Sequence, residues 1–390
     1  MTALPDDSVG LVHTQRQIFD QPLTLTSGRV LNSYELVYET YGRLNTNNSN
    51  GILVCHALSG DHHAAGYHAE DDKHPGWWDS YIGPGKAIDT NEFFVVSLNN
   101  IGGCHGSTGP QSINPQSGKS WGPDFPTLQV SDWVKTQKRL ANILGIKQWA
   151  AVVGGSLGGM QAMQWALEYP DCLQHCVVIA SALKLTAQNI AFNEIARQAI
   201  IADPNFYQGR YLDFQVAPSS GLALARMIGH ITYLSGDAMG RKFGRELRSG
   251  SFGSGFDQPP EFEIESYLRH KGNHFSSNFD ANTYILMTRT LDYFDLTREY
   301  DGDAVTAFRQ AQCRFLVISF TSDWRFSSVR SREIVQALLH AKRLITYAEI
   351  ESSYGHDAFL LKNKRYQQVF SAYMKSVASD LCKQSDADAL

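Results

Sequence analysis

An α/β fold with a mostly parallel sheet flanked by helices is what these 390 residues predict. Three observations carry that prediction. Short, almost unbroken apolar runs recur along the chain, helix-like segments lie between them, and one glycine-rich junction joins a run to the helix after it. Apolar runs without polar alternation fit strands buried on both faces, as parallel strands between helical layers are. The strand–helix rhythm supplies the order of the layers.

Taken in order, the runs are Ile52–Cys55 ("ILVC"), Phe93–Leu98 ("FFVVSL"), Ala150–Val153, Cys176–Ala180, Arg314–Phe320 ("RFLVISF") and Leu344–Ile350 ("LITYAEI"). Helical periodicity covers Thr127–Leu144, Leu157–Glu168 and Lys364–Ser376. Between about Leu185 and Tyr300 the strand signal fades and helix-like stretches such as "NEIARQAIIA" and "GLALARMIGHITYLS" follow one another. The chain therefore reads as a core of residues 1–184 and 301–390 with an inserted helical lid at 185–300. Within the lid, "RSGSFGSGFDQPP" is Ser/Gly-rich and reads as a mobile loop. No internal repeat interrupts this pattern.

Composition narrows the function classes. A net charge of −5 and a pI near 6.2 speak against a nucleic-acid partner. No apolar run reaches the ~20 residues of a membrane span, and the N-terminus has no apolar signal segment. Six cysteines in such a chain are expected to be reduced thiols of a cytoplasmic protein. Cys172 and Cys176 have no second Cys/His pair at zinc spacing, and Asn47-Asn48-Ser49 reads as a polar turn.

The glycine-rich junction is "VVGGSLGGMQ", Val152–Gln161. A dinucleotide fingerprint would need glycine where Ser156 stands, and a P-loop would need a lysine that is absent. What remains is G-x-S-x-G, with Gly154, Ser156 and Gly158 forming the sharp strand-to-helix turn that lifts a nucleophilic serine above a sheet. The apolar "WAAVV" before it and "LGGMQAMQWALEYP" after it are the setting this turn requires. The other glycine-rich loop, "GGCHGSTGPQSINPQSGKS", imitates a Walker A ending, but Ile113 occupies the position of the required first glycine.

A serine hydroxyl needs a base, and the base needs an orienting acid. In α/β-hydrolase order both follow the serine, acid first. Asp323 comes just after "RFLVISF" and His356 just after "LITYAEI", each where a strand reaches the edge that also carries Ser156. Singly they read as a helix cap and a loop histidine; in this order they read as a triad. The oxyanion donors are expected to be the backbone N–H of Leu157 and that of Leu58, in "CHALSGDHH" after the first strand. His62 and His63 in that loop read as solvated, since no H-E-x-x-H spacing accompanies them, and no metal is expected.

Together, "GWWDSYIGPGKAIDTNEFFVV", "GGCHGSTGPQSINP", "VVGGSLGGMQAMQWA" and "YGHDAFL" resemble the homoserine O-acyltransferases of methionine biosynthesis, from about Leu23 to the last helix. The resemblance implies an α/β-hydrolase core with a helical lid, a homodimer paired through the lids, and acyl transfer from an acyl-CoA. It implies no cofactor, the acyl-CoA being a substrate. It also implies that the serine is acylated first and that the hydroxyl of L-homoserine then accepts the acyl group. Ser156, Asp323 and His356 match the family's triad, Arg226 its grip on the homoserine carboxylate, and Asp357 its partner for the amino group. An amino acid does need one cationic and one anionic contact, and Arg can fork onto a carboxylate.

The acyl group is read from Arg325, two residues beyond Asp323. Acetyl-transferring members of the family are apolar there, with leucine common. A buried guanidinium needs a counter-charge. An acetyl group offers only a methyl, whereas a succinyl group ends in a carboxylate, so succinyl-CoA is the expected donor. Two other readings stay open: the acetyl donor, or a serine esterase that hands the acyl group to water. A non-catalytic binding protein on this fold is disfavoured by the intact Ser, Asp and His.

Overall fold

The computed structural model describes residues 4–248 and 262–388. Strands β1 (Gln15–Phe19), β2 (Leu23–Thr24), β3 (Val30–Leu31) and β4 (Tyr34–Tyr41) come first, followed by β5 (Gly51–Cys55), β6 (Ile82–Gly83), β7 (Ile88–Asp89) and β8 (Phe94–Asn99). The later strands are β9 (Trp149–Gly155), β10 (Leu173–Ile179), β11 (Arg314–Phe320) and β12 (Ile345–Ile350). Eight of them form one sheet in the order β1-β4-β8-β5-β9-β10-β11-β12. Only the pairings of β1 with β4 and of β4 with β8 are antiparallel; the rest are parallel.

Every strand expected from an apolar run is present, within a few residues at its ends. The antiparallel margin was not legible. In β1 ("QRQIF") burial alternates along an edge strand with one face towards solvent, so its sequence carries no unbroken apolar run. The central strands are buried on both faces, and successive residues feed two different cores. Leu53, Val152, Val178 and Val317 point into a core shared with helices α1 (Val130–Ile143), α2 (Leu157–Glu168) and α9 (Ser328–His340). Ile52, Val54, Val153, Val177 and Ile318 point into the other, closed by Trp78, Tyr81 and helix α10 (Lys364–Asp388). Each fully buried Val, Leu or Ile contributes roughly 1.5–3 kcal/mol, which makes these strands the rigid part of the molecule.

Between β10 and β11 lie α3 (Ala187–Ile201), α4 (Ser219–Tyr233), α5 (Gly236–Phe243), α6 (Glu263–Ser276), α7 (Ala281–Tyr293) and the short α8 (Ala304–Phe308). Helix α4 packs against both α3 and α6. These helices share a small core of their own, including Ala196, Ile200, Leu222, Ala225 and Tyr284. They are not a detached unit, because Leu286, Met287 and Leu291 of α7 enter the main core and Thr290 Oγ1 donates to the Leu128 carbonyl at 3.2 Å. Of "RSGSFGSGFDQPP", all but Arg248 lies outside the described residues. Among the described residues no helix is long and apolar enough to cross a membrane.

Candidate active site

Ser156 sits at the turn from β9 into α2 with φ 56° and ψ −122°, a backbone conformation that costs a non-glycine residue of order 1–3 kcal/mol. The surroundings enforce it. Its N–H donates to the Ile179 carbonyl at 2.9 Å, and its carbonyl accepts from Ser181 Oγ at 2.8 Å. The flanking glycines are a steric requirement. A Cβ on Gly154 would lie 2.2 Å from the Gly158 backbone, and one on Gly158 would lie 2.1 Å from the Cys55 carbonyl oxygen.

Strand β11 delivers Asp323 and strand β12 delivers His356 to the same edge. His356 Nδ1 lies 2.7 Å from Asp323 Oδ2, and His356 Nε2 lies 2.9 Å from Ser156 Oγ. The other carboxylate oxygen, Oδ1, accepts the backbone N–H groups of Arg325 at 3.0 Å and Phe326 at 2.8 Å. A carboxylate only accepts, so His356 must carry its proton on Nδ1 and turn a bare Nε2 towards the serine hydroxyl. All three side chains are buried, and the rings of Tyr233, Phe326 and Phe359 surround the imidazole. This arrangement can deprotonate a serine as it attacks an acyl carbon.

Leu157 is the first residue of α2, where backbone N–H groups have no partner inside the helix. Leu58, across the cleft, is held by a buried polar network that sequence reasoning missed. His56 Nδ1 is 2.7 Å from the Ala57 carbonyl, while its Nε2 accepts the Asn100 N–H at 3.2 Å. Gln161 of α2 donates to the His56 carbonyl at 3.0 Å and accepts from the amides of Asn100 and Gln137. Burial pushes His56 down to about 4, so it acts as a neutral strut that ties the Leu58 loop to the helix bearing Leu157.

The cleft above Ser156 is lined by Leu58, Ser59, Arg226, Tyr233, Arg325 and Asp357, among others. Arg226 comes from α4; its Nη1 donates to Ser59 Oγ at 3.3 Å, and its guanidinium lies 4.5 Å from the Phe275 ring centroid and 5.7 Å from that of Tyr233. Burial raises the Asp357 carboxyl, while the nearby charges of His356 and Arg226 oppose the shift. Arg325 is 6% exposed; Nη1 donates to Thr232 Oγ1 at 2.8 Å and Nη2 to Asn193 Oδ1 at 3.1 Å. Among the described residues, no carboxylate lies within 4.0 Å of either guanidinium. Ser59, Tyr233, Thr232 and Asn193 carried no sequence signal, because nothing in a helical pattern says which polar residue faces a cleft.

The reading of His62 and His63 as solvated is corrected by the fold. His62 is buried, and both face Glu39 of β4, a wholly buried carboxylate. His63 Nδ1 lies 3.0 Å and His68 Nε2 2.6 Å from Glu39 oxygens, and Tyr41 donates to the same carboxylate at 2.8 Å. Burial would raise Glu39, yet these hydrogen bonds outweigh it and hold the carboxyl below its usual range. The acid arrives from a strand more than twenty residues upstream, so local spacing could not reveal it. Glu39, His62 and His68 each present a donor atom within 4.8 Å of the others and could hold a cation.

Comparison with known proteins agrees with this fold. Residues 51–362 match the family model described as the alpha/beta hydrolase fold. The chain is 70% identical over 374 residues to a homoserine O-succinyltransferase of Saccharophagus degradans, covering 96% of this chain and 98% of that one. Among solved structures, it resembles the homoserine O-acetyltransferase of Bacillus anthracis at TM-score 0.86 and 28% identity, covering 93% of this chain and 98% of the other. It also resembles esterase E22 at TM-score 0.84 and 29% identity, covering 93% and 100%.

Proposed function

The chain belongs to the homoserine O-succinyltransferase family of the alpha/beta hydrolase fold, and from that premise we propose that it moves a succinyl group from succinyl-CoA to the hydroxyl of L-homoserine. One observation carries the choice of substrates. The cleft beside Ser156 holds two guanidiniums, Arg226 and Arg325, without a carboxylate partner among the described residues. Homoserine brings one carboxylate and a succinyl group brings a second. Acetyl transfer would leave one buried cation unmatched, a costly arrangement.

In the first half-reaction Ser156 Oγ attacks the thioester carbon while its proton passes to His356 Nε2. Asp323 stabilises the imidazolium, and the N–H groups of Leu157 and Leu58 receive the oxyanion. Collapse breaks the C–S bond, and the departing thiolate takes the proton from His356. In the second half-reaction the homoserine hydroxyl, oriented by Arg226 on its carboxylate and Asp357 on its ammonium, gives its proton to His356 and attacks the acyl-serine. Ser156 leaves, recovers the proton, and O-succinyl-L-homoserine is released. No cofactor enters this scheme. The protein acts in the cytoplasm as a homodimer paired through the helices at 185–300, which light scattering in solution would check.

The deciding experiment measures kcat/KM with succinyl-CoA and with acetyl-CoA, for the wild type and Arg325→Leu, while free thiol is followed with and without homoserine. The expected outcome is a wild-type preference for succinyl-CoA that the leucine variant loses, with sustained thiol release only when homoserine is present. A preference for acetyl-CoA would overturn the donor, and sustained release without homoserine would make the protein an esterase.

A further inference from the structure

Two buried arginines, Arg197 and Arg325, have partners that differ. Arg197 has a side chain 1% exposed and meets acids on two sides, Asp292 at 2.7 Å and Glu194 at 2.8 Å. Among the described residues, the Arg325 guanidinium meets only neutral acceptors, Thr232 Oγ1 and Asn193 Oδ1. Both acceptors are locked in orientation. The Thr232 hydroxyl gives its own proton to the Gly229 carbonyl at 2.8 Å, so it presents a lone pair to Arg325. Asn193 stands between a guanidinium, which has only donors, and Asp292 Oδ1, which its amide nitrogen reaches at 2.7 Å. Its oxygen must therefore face Arg325 and its NH₂ must face the acid. Asn193 and Thr232 are themselves 3% and 1% exposed.

The consequence is a separation of charge. Asp292 is committed to Arg197, and an uncharged amide keeps it from Arg325. An aspartate at 193 would give Arg325 an internal counter-ion and remove its need for an anionic ligand. The neutral pair instead fixes the plane of the guanidinium and leaves its charge for whatever enters the cleft. Cation–π contact adds direction: the guanidinium carbon lies 5.5 Å from the Tyr233 ring centroid.

We propose that Asn193 and Thr232 are positioning residues for donor selectivity, holding Arg325 by two neutral acceptors so that its charge is matched by the carboxylate end of the incoming acyl group. This rests on the succinyl reading above. The readout is the ratio of kcat/KM for succinyl-CoA to that for acetyl-CoA, with thermal melting to confirm folding. Asn193→Asp should lower the ratio about tenfold or more, because the new carboxylate would match Arg325 from inside the protein, and Thr232→Val several-fold, because it removes a hydrogen bond to a charged group. Thr232→Ser keeps the oxygen and should stay within about twofold of the wild type. If Asn193→Asp does not fold, the valine and serine variants at 232 decide the matter. Should the wild type and Arg325→Leu behave as expected while Asn193→Asp and Thr232→Val keep the wild-type ratio, this inference fails and the donor reading stands. Serine failing as badly as valine would also overturn it. A wild type indifferent between the two donors would remove the donor reading first, and this inference with it.

Discussion

Ser156, Asp323 and His356 stand on loops that leave three strands of one sheet, whereas Arg226, Thr232 and Asn193 stand on two helices packed beside it. The first group is placed by backbone. Parallel register sets Val153 beside Val54 and Val177, and Ile318 beside Ile179 and Ala348, so the strand ends reach one edge in step. The second group is placed by side-chain contacts, through the small core of Ala196, Leu222, Ala225 and Tyr284 and polar ties such as that of the Asn193 amide to Asp292. Backbone ladders are discrete, because a slip by one residue reverses every side chain. Helix packing tolerates small shifts. The bond-making atoms thus sit on the stiffer region, whereas the groups that choose substrates are divided: Arg325 and Asp357 ride on the strand-end loops and Arg226 on the more adjustable helices, in a fold on which esterases and acyltransferases both occur.

Variants can break that contrast, starting with the strand side. Ser156→Ala should lower turnover by on the order of 10⁶, as loss of a serine nucleophile does in proteases, without unfolding the protein. Mass spectrometry after mixing with succinyl-CoA alone should show one acyl adduct on the wild type and none on the variant; an adduct on the alanine protein would place the nucleophile elsewhere. Asp323→Asn keeps the shape but offers a donor to Nδ1, favouring the wrong tautomer of His356. A loss of about 10⁴ in kcat is expected by analogy with serine proteases, and a loss below tenfold would remove Asp323 from its role.

The helix side should respond more gently and more selectively. Arg226→Ala should raise the homoserine KM about tenfold to a hundredfold, the scale of a lost charged hydrogen bond, while the first burst of CoA release persists. Collapse of that burst would move Arg226 to the donor site.

The last effect is on stability in acid rather than on rate, and it concerns both regions together. Burial pushes His56 and His175 down to about 4 and His230 of α4 to about 3. In each the folded value lies below the unfolded one, near 6.5, so the unfolded chain binds more protons as pH falls. Stability should be intact above pH 6.5 and decline below it towards pH 4, by about 1.4 kcal/mol per pH unit for each histidine. His230→Phe should remove about a third of that slope in urea titrations. An unchanged slope would mean that His230 does not stay neutral in the folded protein.

Much of this was written locally in the chain. Unbroken apolar runs announced the central strands because burial on both faces leaves no polar alternate. Gly154, Ser156 and Gly158 announced the elbow because only glycine tolerates a carbonyl oxygen where a Cβ would be. Asp323 and His356 were legible as residues just past strands, and Arg325 through the family resemblance, as a charge where acetyl-transferring relatives are generally apolar. What tertiary structure alone decided is whom each charge meets. Glu39 gathers His63 and His68 across more than twenty residues, His56 becomes a strut through Asn100 and Gln161, and Arg325 finds Thr232 and Asn193 rather than an acid. Periodicity encodes which face of an element is apolar, but the polar partner of a buried group is chosen by the packing of elements far apart in sequence, and no local pattern records it.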